Sequence, residues 1–303
     1  MSAAALIRRI KAGLDAPVRD EVRGLATRLA EASGAVAVLF YGSNLRTGSL
    51  DGVLDFYLLA EGPPTERIWP RVGYHEGLHG ETMLRAKTAQ MTLARFARAC
   101  SGRSRDTTVW ARFVQPSALV YCANDTIRAR IVEACADAAV TAARLAAALG
   151  PPTGTAEDYW RALFRATYTA EFRVEAAGRE DSILAANRGH FSGLLPLAWD
   201  AAGIAFEYEA DHLTPCLSEA ERARIGRWWK RRRRLGKPLN ILRLAKATTT
   251  FEGAARYGAW KLERHTGLKL EVTPFRERHP LLAMPGAAWE LWRVRRRSRS
   301  DQR

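Results

Sequence analysis

A strand-sized apolar run, Ala35-Val36-Ala37-Val38-Leu39-Phe40-Tyr41, ends in Gly42-Ser43, and twelve residues after Ser43 an aspartate, Asp55, stands at the head of a second apolar run. These residue types in this order suit the handling of a nucleoside triphosphate. Glycine lets the backbone approach phosphate oxygens with no Cβ in the way. Serine adds a hydroxyl, and the free N–H groups of a following helix start favour an anion. A carboxylate on the neighbouring strand would hold the divalent metal that accompanies the phosphates. The plain alternative is an ordinary strand–turn–strand of an α/β domain. Nucleotidyl transfer usually presents two acids one residue apart, but here the position two before Asp55 is Val53. Asp51, four before, can share the sheet face at a greater distance. Asp55 is the expected metal ligand, with Asp51 as the second candidate.

The elements that must position these groups follow from composition. Residues 35–41 and 53–60 read as strands from their apolar, β-branched and aromatic content, and Gly62-Pro63-Pro64 ends the second. A strand pair is expected around 72–76 and 82–91, a helix over Leu93–Cys100, a break at Ser101-Gly102 and a short strand at Leu119–Cys122. The first 122 residues thus predict a small mixed sheet flanked by helices. Asn124 is placed to cap a long Ala-rich helix that Pro151-Pro152 stops near Gly150. Ala156–Val174 and Asp181–Ala202 carry apolar residues at helical spacing and predict two more helices. Residues 1–32 predict a pair of surface helices broken at Pro17.

The 303 residues allow two or three domains, and a hydrophobic content of 47% excludes a disordered chain. No apolar run approaches the roughly 20 residues that a membrane-crossing helix needs. The four cysteines, Cys100, Cys122, Cys135 and Cys216, show no C-x-x-C spacing and read as buried thiols of a reducing cytoplasm. The net charge of +15 points to a polyanionic partner, nucleic acid or an anionic membrane surface. Nine positive charges lie between Arg227 and Lys246 with no acid among them, and Trp228 and Trp229 sit inside that cluster. Trp289 and Trp292 precede a second basic run ending at Arg299. A basic helix edged by tryptophan suits a lipid headgroup region, which is favoured here over a merely solvated face.

His75-Glu76-Gly77-Leu78-His79 matches H-E-x-x-H letter for letter. That zinc motif works only on a helix. Gly73, Gly77 and Gly80 each cost a helix about 1 kcal/mol against Ala, so a strand or loop is expected here and the two imidazoles should not converge.

With Tyr41-Gly42-Ser43 and Leu54-Asp55-Phe56 placed, later segments extend a pattern. Lys87 lies in a strand leading to a helix, and Arg112 shortly precedes Gln115-Pro116. Glu171-Phe172-Arg173 closes a helix, and Lys246, Tyr257 and Lys261 follow in order. In this order of motifs the chain resembles the mitochondrial translocator-assembly-and-maintenance family of phosphatidate cytidylyltransferases, and more closely its bacterial relatives. It departs from that pattern at Asn44, Thr88 and Glu171, where the family has Gly, Tyr and Asp.

The resemblance implies an α+β fold: a polymerase-β-like nucleotidyltransferase domain (residues 1–122), a mostly helical, winged-helix-like domain (123–235) and a basic C-terminal segment (236–303) that contacts membrane. It implies that CTP and phosphatidic acid give CDP-diacylglycerol and pyrophosphate, with Mg²⁺ or another divalent cation as cofactor. The enzyme would be cytoplasmic and peripheral on the inner face of the membrane. Tyr41, Gly42, Ser43, Asn44 and Lys87 would bind the nucleotide, and Asp55, Lys87 and Arg112 would be catalytic. Glu171, Arg173, Lys246, Tyr257 and Lys261 would shape an acceptor or second-domain pocket. Two other readings stand beside this one: a nucleotidyltransferase acting on nucleic acid or another phosphate-bearing acceptor, and a non-catalytic basic nucleic-acid-binding module.

Overall fold

The computed structural model describes residues 2–63, 71–170, 178–250, 253–266 and 272–275. It is a mixed α+β structure built on one five-stranded sheet. Helices α1 (Ser2–Leu14) and α2 (Asp20–Ser33) precede β1 (Ala35–Tyr41), a five-residue helix α3 (Ser43–Thr47) and β2 (Leu54–Ala60). A hairpin of β3 (Arg71–His79) and β4 (Thr82–Thr92) leads into α4 (Leu93–Cys100), α5 (Thr108–Phe113) and β5 (Ser117–Cys122). The strand order is β3-β4-β2-β1-β5, with β2 and β4 parallel and every other pair antiparallel.

The two faces of the sheet are buried differently. Val38, Phe40, Phe56, Leu58 and Ala86 project to one side, where α2 covers them with Val22, Leu25, Ala26 and Leu29. The alternate residues, Ala37, Leu39, Tyr57 and Leu59, project to the other side and join a much larger apolar cluster. Its centre is α6 (Asp125–Leu149), followed by α7 (Ala156–Ala170), α8 (Arg179–Ala186), α9 (Arg188–Phe191) and α10 (Leu194–Ala202). The Asn124 side chain accepts the Ile127 N–H at 2.9 Å and caps α6, as expected from its sequence. Along α6, Ala138, Ala139, Ala142, Ala143 and Ala146 are fully covered, and such small side chains let neighbouring helices approach closely. A small hairpin of β6 (Phe206–Glu209) and β7 (His212–Pro215) precedes α11 (Glu219–Thr250) and α12 (Ala254–Thr266).

Several expectations need correction. The single helix expected over 181–202 is three, because Asn187 (φ −126°, ψ 28°) and Gly193 (φ −108°, ψ 1°) leave helical geometry. The Asn187 side-chain amide donates instead to the Ile183 carbonyl at 2.8 Å. The N-terminal helices are not surface elements alone, since α1 buries Leu6, Ile10 and Leu14. Only Cys100 and Cys135 are buried; Cys122 is half-buried, Cys216 is exposed, and all four are free thiols. Helix α11 is continuous through Pro238.

Trp228 and Trp229 do not edge a surface helix. Trp229 is buried, and Trp228 packs on the core with its ring 6.1 Å from Trp110. The fourfold-charged Arg231–Arg234 stretch hid an inward side of α11 that only the tertiary packing reveals. The second tryptophan–arginine run, residues 289–299, lies outside the described residues. Among the described residues, no helix is long and apolar enough to cross a membrane.

One half-buried histidine ties the halves together. His190 Nε2 donates to the Val114 carbonyl at 2.8 Å, and burial holds its pKa below the usual 6.5, with the charge of Arg9 pushing the same way. A depressed histidine supports the fold above its unfolded-state pKa, and that support is lost as pH falls through the folded value. His190→Gln keeps a donor and removes the titration. Its melting temperature is expected to fall less than that of wild type between about pH 7.5 and pH 5.5; an unchanged pH dependence would remove His190 from the acid response.

Candidate active site

Strand register assembles the site. Tyr41 of β1 pairs with Asp55 of β2, Asp55 pairs with Lys87 of β4, and Lys87 pairs with Tyr74 of β3. Directly paired residues project from the same face of a sheet. The aspartate therefore has a lysine on one side and a tyrosine on the other, facing the larger core side. Arg112 reaches this row from α5. Its guanidinium lies 5.0 Å from the Tyr41 ring centre and 5.7 Å from that of Tyr57, and it donates to the Tyr57 hydroxyl at 3.1 Å. Phe113, the next residue, stacks edge-on against Tyr57 at 5.0 Å and Phe96 at 4.8 Å, which seats α5 against the sheet.

Gly42 joins the row to the turn. It has φ 93° and ψ −162°, a region open essentially to glycine alone, and a Cβ built on it would lie 3.2 Å from Asp55 Oδ2. The bare backbone thus passes directly beside the carboxylate. Ser43 is exposed at the first residue of α3, its hydroxyl 3.3 Å from Asn44 Oδ1. The Asn44 amide donates to the carbonyls of Ser49 at 3.0 Å and Asp51 at 2.8 Å. Asn44 is therefore a brace for the loop that leads into β2.

Electrostatics mark Asp55 as unusual. Burial pushes its pKa above the ordinary carboxylate range, and the charges of Lys87 and Arg112 pull it partly back. Tyr41 is likewise pushed up, chiefly by burial. Tyr257 of α12 is raised by burial and by the charge of Asp55, so it stands within electrostatic reach of the carboxylate. Its ring lies 5.4 Å from Tyr74. Gly253, just ahead of α12, allows this approach: a Cβ there would meet the Tyr74 carbonyl at 2.6 Å.

The remaining expected residues fall as follows. Asp51 is exposed in the turn before β2, which begins at Leu54, so strand alternation does not extend to it. Lys246 is half-buried on α11, and Lys261 belongs to α12. Glu171 and Arg173 lie outside the described residues. The H-E-x-x-H segment is strand β3, as expected. His75 Nε2 contacts Thr88 Oγ1 at 3.1 Å, His79 lies against Gly24 of α2, and four residue steps along the strand separate the two by about 13 Å.

Tyr57, Asp106 and Arg243 belong to the site's surroundings and were not singled out from the sequence. Tyr57 was within reach of it, since a residue two beyond Asp55 on a strand shares its face. Two cavities of about 300 and 270 Å³ lie on the helical side, lined by residues such as Arg144 and Trp228 or Arg188 and Tyr208, and neither includes Asp55.

Among the described residues, no three His, Cys, Asp or Glu side chains converge, so no all-protein metal cage is present there. Asp55 alone still fits a divalent ion of the Mg²⁺ type, which is commonly held by one or two carboxylates with phosphate oxygens and water completing the shell. With Lys87 and Arg112 beside Asp55, the row carries excess positive charge. Such a site accepts a metal best together with a polyanionic ligand.

No model of a known protein family matches the chain, and no curated protein matches it either.

Proposed function

We propose that the chain is a nucleotidyltransferase that transfers CMP from CTP to phosphatidic acid, giving CDP-diacylglycerol and pyrophosphate. The observation that carries this reading is the turn at Gly42, where a Cβ would lie 3.2 Å from the Asp55 carboxylate, with Lys87 and Arg112 beside that carboxylate. On this reading the sheet half is a polymerase-β-like domain, and the helical half with its β6–β7 hairpin is winged-helix-like.

Each residue's task follows from its place. The backbone at Gly42-Ser43 approaches the β- and γ-phosphates. Asp55 would hold Mg²⁺, which when bound would supply positive charge to the phosphates and the leaving pyrophosphate. Lys87 supplies a point charge from the strand beside Asp55. Arg112, oriented by two tyrosine rings, offers its planar fork to the triphosphate. Tyr257 closes the Tyr74 side; Lys246, Lys261, Glu171 and Arg173 are assigned to the acceptor by resemblance alone. The sparse acid set agrees with a phosphate acceptor: a phosphate monoester has a second pKa of about 6 and needs no strong base to become nucleophilic.

A bilayer-resident acceptor requires the enzyme to dock. Arg227, Arg231, Arg234 and Ile241 recur along one side of α11 at helical spacing, and all are exposed. Ile241 and Leu242 are 58% and 52% exposed, unusual for aliphatic side chains on a packed helix. Basic residues near an anionic leaflet attract it by ~1 kcal/mol each. The docking face is thus assigned to arginines and aliphatics, in place of the tryptophans, and the protein to the inner membrane face as a peripheral enzyme.

The test is incubation with CTP, Mg²⁺ and vesicles containing phosphatidic acid, with ATP, GTP and UTP in parallel. CDP-diacylglycerol and pyrophosphate are expected from CTP. Replacing Arg231 and Arg234 by Glu is expected to weaken vesicle sedimentation and spare CTP binding. Nucleotide transfer to RNA with no lipid product would move the reading to a nucleic-acid enzyme. Salt-sensitive RNA binding without any transfer would leave only a binding module.

A further inference from the structure

We infer that the buried ion pair between Asp106 and Arg243 is a positioning device that holds Arg112 over the Tyr41 and Tyr57 rings. The inference rests on the site reading above and adds to it two residues, one from a loop and one from α11.

The argument begins with α5, which is only six residues long and carries Arg112 in its last turn. So short a helix has little cohesion of its own, and its pose depends on what anchors its ends. At the N-terminal end, Asp106 Oδ1 accepts the Thr108 N–H and the Thr108 hydroxyl, each at 2.9 Å. The same oxygen meets Arg243 Nη2 at 2.5 Å, with Arg243 only 7% exposed. One carboxylate oxygen therefore fastens the first turn of α5 to α11.

A second arginine of α11 holds the preceding loop. Arg232 Nη2 donates to the Gly102 and Ser104 carbonyls, the latter at 2.9 Å, while its guanidinium lies 3.9 Å from the centre of the Trp228 ring. Positions 232 and 243 are about three helical turns apart and so face the same side. The Ser104 hydroxyl donates in turn to the Asp106 carbonyl at 3.2 Å. From Gly102 to Thr108, the chain is clamped along one side of α11.

The far end of the chain of contacts is the site. Arg112 is four residues beyond Thr108, and its hydrogen bond to Tyr57 fixes the guanidinium beside Asp55. Asp106 and Arg243 both stand within electrostatic reach of Tyr57. Breaking a buried ion pair leaves an uncompensated charge. Here that charge would stand close to the phenol that Arg112 uses for alignment. Arg243→Gln would leave Asp106 to attract Arg112 away from Asp55, whereas Asp106→Asn would leave Arg243 to repel it.

The experiment reads Arg112 itself. In ¹⁵N-arginine-labelled protein without substrate, the Arg112 side-chain Nε–H signal is assigned by its loss in Arg112→Lys. It should be displaced from the free-arginine position by the ring currents of the two tyrosines. In Arg243→Gln and in Asp106→Asn the signal is expected to move toward the free-arginine position. Turnover is expected to fall about tenfold or more, with KM for CTP changed far less, since misplacement of a positioned group acts mainly on kcat. Arg243→Lys keeps the charge and loses the fork, and should show an intermediate displacement. Should the other variants fail to fold, the lysine variant decides: an intermediate shift supports the device and an unmoved signal overturns it. An unmoved Arg112 signal in the folded Gln and Asn variants overturns it whatever turnover does. Because the spectrum needs no substrate, a protein that transfers no nucleotide would sink the functional reading while leaving this question decided.

Discussion

Asp55→Asn is expected to lower turnover by about 10²-fold or more and, in the ligand-free protein at neutral pH, to raise the melting temperature. The two effects have one cause. Burial makes the folded state bind the Asp55 proton more tightly than the unfolded chain does, and Lys87 and Arg112 offset this only in part. For an acid with a raised folded pKa, its contribution to stability is fully present below the unfolded value, near the ordinary 3.8, and is lost as pH rises through the folded value. At neutral pH the ionised carboxylate thus weighs against folding, and an uncharged amide of the same shape relieves it. The gain should close as pH is lowered into the ordinary carboxylate range. Thermal unfolding across pH, beside the CTP assay, checks both halves. A lower melting temperature at neutral pH would mean that the lysine and arginine compensate the charge fully, and retained turnover would remove Asp55 from the metal.

Gly42→Ala carries the second large effect. A side chain in this backbone region costs about 1–3 kcal/mol, and the new methyl would stand 3.2 Å from Asp55 Oδ2. The turn must either flatten or push the carboxylate aside, and each displaces the phosphate-approaching backbone. A loss of turnover of about 10²-fold is expected from such misplacement, together with a reduced melting temperature. Gly13→Ala is the control: it lies within α1 with no atom within 4 Å of the added methyl, so it should leave turnover unchanged. Normal CTP turnover in Gly42→Ala would separate the turn from catalysis.

Legibility in the sequence followed how local each determinant is. The strands around Asp55, the helix at Leu93–Cys100 and the Asn124 cap depend on neighbours a few residues away, and pattern alone exposes them. So does the failure of the H-E-x-x-H segment to form a helix, since three glycines decide it. The lateral row of Tyr41, Asp55, Lys87 and Tyr74 is different in kind. It needs strand order and register, and a parallel partner such as β4 cannot be inferred from the strands themselves. Arg243 was hidden for another reason. Inside a dense basic cluster, each cation looks equally solvated until packing chooses which ones turn inward. Trp228 and Trp229 misled for the same reason. An indole on a basic helix serves a lipid surface or a protein interior equally well, and only the second partner, Trp110, distinguishes them.

The apolar cluster that begins under β1 and β2 runs without interruption through α4, α5, α6, α7 and α10 to Trp229. Two lobes with separate interiors can swing apart, but lobes that share this cluster cannot part without wetting it. On the proposed function, substrate admission therefore falls to the margin, where α12 leans on β3 through the Tyr74–Tyr257 contact. The same continuity makes heat melt both halves as one unit, so a calorimetric trace should show a single peak in place of two.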